Sequence, residues 1–273
     1  MTYDLAFIGA GNMAEAIARG ILTSGSIAPA RLIAADISDA RRALFEEQLK
    51  IRAVSDNLAG AADAGAIILA VKPQQMAEAL RGIGRVMSEA TLVISIAAGI
   101  STKFIEMNLG NAQSWRVVRT MPNTPMLVGL GAVALAPGQH ASSADVAAAS
   151  RFFAPAARVT EVTEDKIDAV TALSGSGPAY VFYLIEQMIA AGLELGLTPE
   201  QSELLAKQTV YGSAAMAVQS ADTPQELRRK VTSPGGTTQA AIEFMETAAV
   251  GKNMRQAIGA ACARSIELGK QSR

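Results

Sequence analysis

The chain has 273 residues, half of them apolar and 18% charged, which is material for one large domain or two ordinary ones and far too apolar for a disordered chain. Lys and Arg number 24 against 25 Asp and Glu, a net charge of -1 with no basic excess to hold a nucleic-acid backbone, and aromatics at 4% are too few for a base-stacking platform. One cysteine, Cys262, and one histidine, His140, exclude a disulfide framework and argue against a Cys/His metal site, so no metal is expected.

Met1-Thr2-Tyr3-Asp4 has no basic region ahead of the first apolar run and does not read as a signal peptide. The uncharged stretch Thr120–Gln139 carries three prolines and several glycines and is a poor membrane helix. A cytoplasmic chain with no membrane partner is expected.

In chain order, Leu5–Ile8 is a short apolar run that ends in Gly9-Ala10-Gly11-Asn12-Met13-Ala14. Met13, Ile17, Ile21 and Leu22 then fall on one helical face before Gly25, giving strand, glycine turn and helix. A second strand is predicted over Arg31–Ala35, closed by Asp36 and followed by an Arg- and Glu-rich helix through Gln48. Ile67–Val71 and Leu92–Ile96 are continuous apolar runs, the pattern of strands buried on both faces. Helices are predicted near Pro73–Gly82 and Ser101–Leu109, a strand over Trp115–Arg119, another over Ala132–Ala136, a helix over Ala141–Ala154 and a last strand over Arg158–Val162. Such alternation over residues 1–163 predicts a mostly parallel α/β sheet with right-handed crossovers.

From about Thr163 the strand signal fades, and residues 164–273 read as an all-helical domain. Pro178 suits the first turn of a helix whose apolar face includes Val181, Leu184, Ile185, Met188 and Leu193, with Gly196 near its end. Thr198-Pro199-Glu200-Gln201 and Thr223-Pro224-Gln225-Glu226 are capping boxes with proline at the first helical position. Further helices are predicted from about Thr238 and over Lys252–Leu268. The apolar faces either pack within the chain or meet a second subunit.

The spacing Gly9-x-Gly11-x-x-Ala14 after a strand and before a helix fits a dinucleotide. The first glycine makes the tight turn, the second admits a pyrophosphate, and Ala14 keeps helix and strand close, with the helix amides and dipole toward the phosphates. Asp36 stands where an acidic side chain accepts from adenosine ribose hydroxyls and repels a 2′-phosphate, a lean toward NAD that Arg41 and Arg42 leave open. Lys72 is either near ribose or phosphate or a solvated strand-end lysine, and Ile96-Ala97-Ala98-Gly99 either borders a nicotinamide or marks close packing.

Three further segments are not explained by helices alone. Arg119–Pro125 reads as a held loop, Ser174-Gly175-Ser176-Gly177-Pro178-Ala179 as a turn whose amides and hydroxyls could receive an anion, and Thr232–Thr238 as a hydroxyl-rich helix start or a simple cap by Thr237 or Thr238. No Ser/His/Asp or Cys/His constellation is available without His140, and Cys262 reads as a small buried residue. Hydride transfer needs no covalent nucleophile, and an electrophilic iminium needs positioning and charge stabilisation more than a strong acid.

Gly9–Ala14, Val71-Lys72-Pro73-Gln74, Arg119–Pro125, Ser174–Tyr180 and Thr232–Thr238 together resemble the pyrroline-5-carboxylate reductase family, in order and across almost the whole chain. The first motif is shared by many dehydrogenases, whereas the last two are specific to that family. The resemblance implies that residues 1–163 form a Rossmann-type NAD(P)-binding domain and that the chain reduces 1-pyrroline-5-carboxylate to L-proline with reduced NADP or NAD. It places the pyrophosphate along Ile8, Gly9, Ala10, Gly11, Asn12 and Met13, with Asn57, Ala70, Val71, Lys72, Pro73, Ile96, Ala97 and Ala98 as further cofactor contacts. It implies a substrate carboxylate at Ser174, Gly175, Ser176, Gly177, Thr237 and Thr238, with Thr238 also hydrogen-bonding the ring nitrogen as the catalytic residue. It further implies an intertwined homodimer through the helical domain, with the substrate at its interface, commonly assembling to a decamer. One departure stands out: many relatives carry Asn-Arg where this chain has Asp36-Ile37, so an NADPH preference would depend on Ser38, Arg41 or Arg42.

Two enzymatic readings compete: a reductase of another cyclic imine, and a 3-hydroxy acid dehydrogenase, which would want a catalytic lysine, with Lys166 and Lys207 available. A dinucleotide-sensing scaffold would keep the glycine turn and consume no reduced cofactor.

Overall fold

A computed structural model describes residues 1–110 and 114–271 of the chain. The first strand, β1 (Tyr3–Ile8), leads through the glycine turn into α1 (Asn12–Ser24), and β2 (Leu32–Ala35) into α2 (Asp39–Glu47). Next come β3 (Arg52–Val54), α3 (Asn57–Ala61), β4 (Ala64–Leu69), the short helices α4 (Met76–Leu80) and α5 (Ile83–Val86), β5 (Leu92–Ser95) and α6 (Thr102–Leu109). The sheet is completed by β6 (Val117–Pro122), β7 (Gly131–Pro137), α7 (Ser143–Phe153) and β8 (Ala157–Glu161). The helical part holds α8 (Ile167–Val170), α9 (Gly177–Glu194), α10 (Pro199–Gln219), α11 (Pro224–Lys230), α12 (Thr237–Thr247) and α13 (Val250–Gln271).

The eight strands form one sheet in the order β3-β2-β1-β4-β5-β6-β7-β8, parallel throughout except for the antiparallel pair β6–β7. Chain direction across the sheet reverses at β1, which lies between β2 and β4, and this switch point opens a crevice beyond the strands' carboxyl ends. Alternation along β1 sends Leu5 and Phe7 to one face and Ala6 and Ile8 to the other, each face building its own core. Phe7 meets Phe45 of α2 edge-to-face with ring centroids 6.0 Å apart. Burying a side chain of this size contributes about 1.5–3 kcal/mol, so the central strands anchor the loops that follow them.

Several boundaries differ from the sequence reading. β3 was not anticipated, because three residues beginning with Arg52 carry no apolar run, and as an edge strand it is held through β2 alone. The strand predicted to reach Val71 ends at Leu69, leaving Ala70 and Val71 in the loop at the crevice. The helix predicted over Pro73–Gly82 is a single 3-10 turn, Pro73–Gln75, followed by α4, and Gly82 at φ +82° starts α5. The predicted turn around Ser174 is helical instead: Thr171–Gly175 is a π-helical stretch between α8 and α9. Both threonine capping boxes form as predicted, at Thr198 with Gln201 and at Thr223 with Glu226.

The chain divides into two compact units. One comprises Met1–Ser176 together with Ala261–Arg273; the other is Gly177–Ala260. In the first, the end of α13 is tied down by Ser265 Oγ, which donates to Asp168 Oδ1 at 2.6 Å, and Gly269 passes close to Gly99. In the second, α9 and α10 approach closely where Gly192 faces Ser202; a Cβ on Gly192 would lie 2.6 Å from Ser202 Oγ. The helical unit leaves Val181, Phe182, Leu184, Leu204, Tyr211 and Phe244 exposed, so its apolar faces are not packed only within the chain.

Candidate active site

At the switch point, Gly9 adopts φ +97°, a conformation that favours glycine, and a Cβ there would lie 2.8 Å from the carbonyl carbon and oxygen of Ala70. The glycine turn after β1 is therefore pressed against the loop after β4. Gly11, the N-cap of α1, behaves differently: a Cβ on it would meet nothing in the protein within 4 Å. Packing does not demand a glycine at position 11, whereas a phosphate approaching the first amides of α1 does. Ala14 is fully buried against the sheet.

A cavity of about 540 Å³ lies over this turn. It is lined by Gly9, Gly11, Asp36, Asn57, Ala70, Val71 and Lys72, seven of the residues expected at a cofactor, and also by Ile37, Ser38, Arg41, Gln75 and Glu78. Asp36 Oδ2 accepts the Ala10 N–H at 2.7 Å and Oδ1 accepts the Ser38 N–H at 2.8 Å, which holds the carboxylate at the cavity rim. Arg41 does not reach out to solvent. Its Nε donates to the Ala10 carbonyl at 2.5 Å and its Nη2 to Glu15 Oε2 at 2.8 Å. Glu15 also accepts from Arg19 Nε at 2.9 Å. Burial pushes the Glu15 carboxyl upward, but hydrogen bonds and charge from Arg41 and Arg19 outweigh it and hold Glu15 below the usual range. Arg42 donates to the Asp36 carbonyl at 2.7 Å and pairs with Asp39.

The other expected cofactor residues differ in exposure. Ile8, Ala10 and Ala97 are buried, Met13 and Ile96 pack on the core, and Asn12 is exposed at the start of α1.

A second cavity, about 530 Å³, brings together Pro73 and Ala98, expected at the cofactor, with Ser176, expected at the substrate. Thr171, Gly99, Arg264 and Ser265 complete much of its lining. Sequence reasoning missed Arg264 and Thr171; neither belongs to a recognisable motif, and only the return of α13 to the first unit brings Arg264 there.

Around Ser174 the amides are partly engaged. The Ser176 N–H donates to the Thr171 carbonyl at 2.8 Å and Ser174 Oγ to the Val170 carbonyl at 3.1 Å, because the π-helical backbone continues through this segment. The segment read as a held loop over Arg119–Pro125 is instead largely strand, with Arg119–Pro122 in β6. Asn123, just beyond it, donates from Nδ2 to the Ser174 carbonyl at 3.1 Å and accepts the Ala132 N–H on Oδ1 at 2.9 Å, joining the end of β6 to β7 and to the π-helical stretch. Gly175 lies in the same stretch, and Gly177 begins α9.

Thr237 and Thr238 open α12 in the helical unit, with Gly236 as N-cap and no side-chain cap. The simple-capping reading of these hydroxyls therefore fails. His140 is exposed in a loop, Cys262 is half-buried, and Lys166 and Lys207 are exposed and paired with nearby Asp165 and Glu203. Neither lysine has the surroundings of a catalytic group, which weakens the 3-hydroxy acid reading.

The sheet order, glycine turn and crevice define a Rossmann-type dinucleotide-binding oxidoreductase with an appended helical domain. Residues 164–268 match the family model described as pyrroline-5-carboxylate reductase dimerisation, and residues 4–99 match NADP oxidoreductase coenzyme F420-dependent. The pyrroline-5-carboxylate reductase of Pseudomonas aeruginosa is 40% identical over 99% of this chain and 98% of its own. The chain belongs to the pyrroline-5-carboxylate reductase family. Among solved structures, the enzyme from Coxiella burnetii superposes with TM-score 0.91 at 38% identity, covering 98% of this chain and 99% of that one. Pyrroline carboxylate reductase from Plasmodium falciparum, solved with NADP bound, gives TM-score 0.85 at 31% identity and 98% coverage of both chains. The helical domain is the family's dimerisation domain, which accounts for its exposed apolar faces. No helix among the described residues is long and apolar enough to cross a membrane.

Proposed function

We infer that this chain catalyses the NAD(P)H-dependent reduction of 1-pyrroline-5-carboxylate to L-proline. The observation that carries this reading is the cradle at the switch point, where Gly9 is forced by the backbone and Gly11 is left open, in a chain of this family from end to end. Reduced nicotinamide supplies a hydride to the ring carbon of the substrate imine. The protein's task is to hold the two partners and stabilise charge, for which the absence of a nucleophile-base pair is no obstacle.

On the family pattern, the substrate carboxylate is received by Ser174, Gly175, Ser176 and Gly177 and by the start of α12 at Thr237 and Thr238. Thr238 orients the ring nitrogen, and its uncapped helix start and half-buried position support that role. The imine proton comes from solution, since an alcohol is a poor acid at neutral pH. NADH serves ahead of NADPH, supported by the Asp36 carboxylate at the rim of the first cavity and by the engagement of Arg41 and Arg42 elsewhere. The dimers assemble further, to decamers, in the cytoplasm; a single free cysteine asks for no oxidising compartment.

The test is a steady-state assay of 1-pyrroline-5-carboxylate with NADH and NADPH in parallel, alongside piperideine carboxylate and a 3-hydroxy acid. Imine-dependent oxidation fastest with pyrroline-5-carboxylate is expected. Cofactor binding with no imine-dependent oxidation would leave only the scaffold reading.

A further inference from the structure

We propose that Glu15 is a specificity-determining residue: by holding the Arg41 guanidinium under the glycine turn, it denies the adenosine 2′-phosphate its natural cation. The inference deepens the cofactor preference stated above and rests on that reading of the first cavity.

Arg41 lines the cavity beside Asp36 and Ser38, at the end of β2 where the adenosine ribose would lie. An arginine one helical turn beyond that strand is chemically suited to a phosphate, since its planar fork matches phosphate oxygens. Here two of the three guanidinium nitrogens are already engaged. Nη2 is paired with Glu15 Oε2 at 2.8 Å and Nε with the Ala10 carbonyl at 2.5 Å, and the side chains of Arg41 and Glu15 are only 24% and 16% exposed. A pair this sheltered is screened less than a surface pair, so a 2′-phosphate would have to break it while also lying against the Asp36 carboxylate. Arg42, the next cation along, is bound to the Asp36 carbonyl and paired with Asp39. Two carboxylates thus act by different routes: Asp36 faces the ribose directly, and Glu15 works from beneath by withholding Arg41.

Glu15→Gln removes the charge that holds Arg41 while keeping the size of the side chain. The ratio of kcat/KM for NADPH to that for NADH should rise by roughly tenfold, equivalent to about 1.4 kcal/mol. Adding Arg41→Ala to that variant should return the ratio to the wild-type value. Arg19→Gln, which removes Glu15's other partner together with a hydrogen bond to Gln48 and leaves the Arg41 pair in place, should leave it unchanged. The same variants titrated with 2′,5′-ADP and 5′-AMP by calorimetry give a readout that needs no turnover, with Glu15→Gln tightening 2′,5′-ADP alone. A ratio unmoved by Glu15→Gln, or a rise that survives Arg41→Ala, overturns the proposal. Should Glu15→Gln not fold, Arg41→Ala alone decides: a free Arg41 would make this variant lose NADPH selectively, whereas a sequestered one leaves the ratio as it was. If no variant oxidises either cofactor with the imine, the calorimetry still decides the role of Glu15 and the failure belongs to the substrate assignment.

Discussion

The main-chain amide of Ala10 donates to the carboxylate of Asp36 at 2.7 Å, joining the glycine turn after β1 to the end of β2 across 26 residues of sequence. One side chain thereby braces the glycine turn and places a carboxylate at the first cavity. Removing it must affect both.

Asp36→Ser should raise the efficiency of NADPH relative to NADH, because the carboxylate no longer repels a 2′-phosphate, and should weaken NADH itself through the loss of its ribose acceptor. The comparison is kcat/KM for each cofactor at saturating imine. A ratio equal to that of the wild type would show that other groups govern the choice.

Gly9→Ala should abolish productive cofactor binding. The new Cβ would sit 2.8 Å from the main chain of Ala70 in a φ +97° conformation, and neither side of that contact can yield cheaply. A destabilisation of about 1–3 kcal/mol is expected from backbone strain of this kind, seen as a lowered melting temperature together with lost quenching on cofactor titration. Gly11→Ala meets no protein atom within 4 Å, so its melting temperature should stay near wild type while cofactor affinity falls.

Thr238→Ala should lower imine turnover by about tenfold, the worth of one lost positioning hydrogen bond, with cofactor affinity unchanged. Since no side chain caps α12, little stability should be lost with the hydroxyl. Wild-type kinetics in this variant would remove Thr238 from the site.

Asp145 makes stability depend on acid. Burial pushes its carboxyl upward, but the Ser142 amide and hydroxyl and the Arg116 charge outweigh this and hold it below its ordinary value of 3.8. The folded state therefore binds this proton less readily than the unfolded chain does. Its stabilisation is complete above the ordinary value and is lost as pH falls through the lower folded one. Asp145→Asn should cost about 1–2 kcal/mol near neutrality and flatten this part of the acid limb in thermal melts recorded from pH 6 downward.

Leu184→Glu should dissociate the dimer. Leu184 is exposed on α9 in the single chain, and a buried unpaired carboxylate in the subunit interface is costly. Light scattering should report the change in mass, while cofactor binding by the first unit persists.

Much of this protein was legible in the order of its residues, because buried parallel strands and capped helices write their periods locally. The apolar runs Leu5–Ile8, Ile67–Val71 and Leu92–Ile96 announce the sheet, although two of its strands stop short of those runs, at Leu69 and Ser95. The spacing of Gly9, Gly11 and Ala14 announces a nucleotide, and Thr198 and Thr223 announce their helices. What local pattern does not contain is which distant groups meet. Arg52–Val54 becomes a strand only because β2 offers it an edge, and the segment at Ser174 becomes a π-helix with Asn123 pinned to its carbonyl. The engagement of Arg41 by Ala10 and Glu15 follows from placing β2 beside β1, and the arrival of Arg264 at the second cavity follows from the return of α13. Elements form from short-range propensity and hydrophobic period, whereas charge pairing and cavity shape are consequences of packing, and those were decided only in three dimensions.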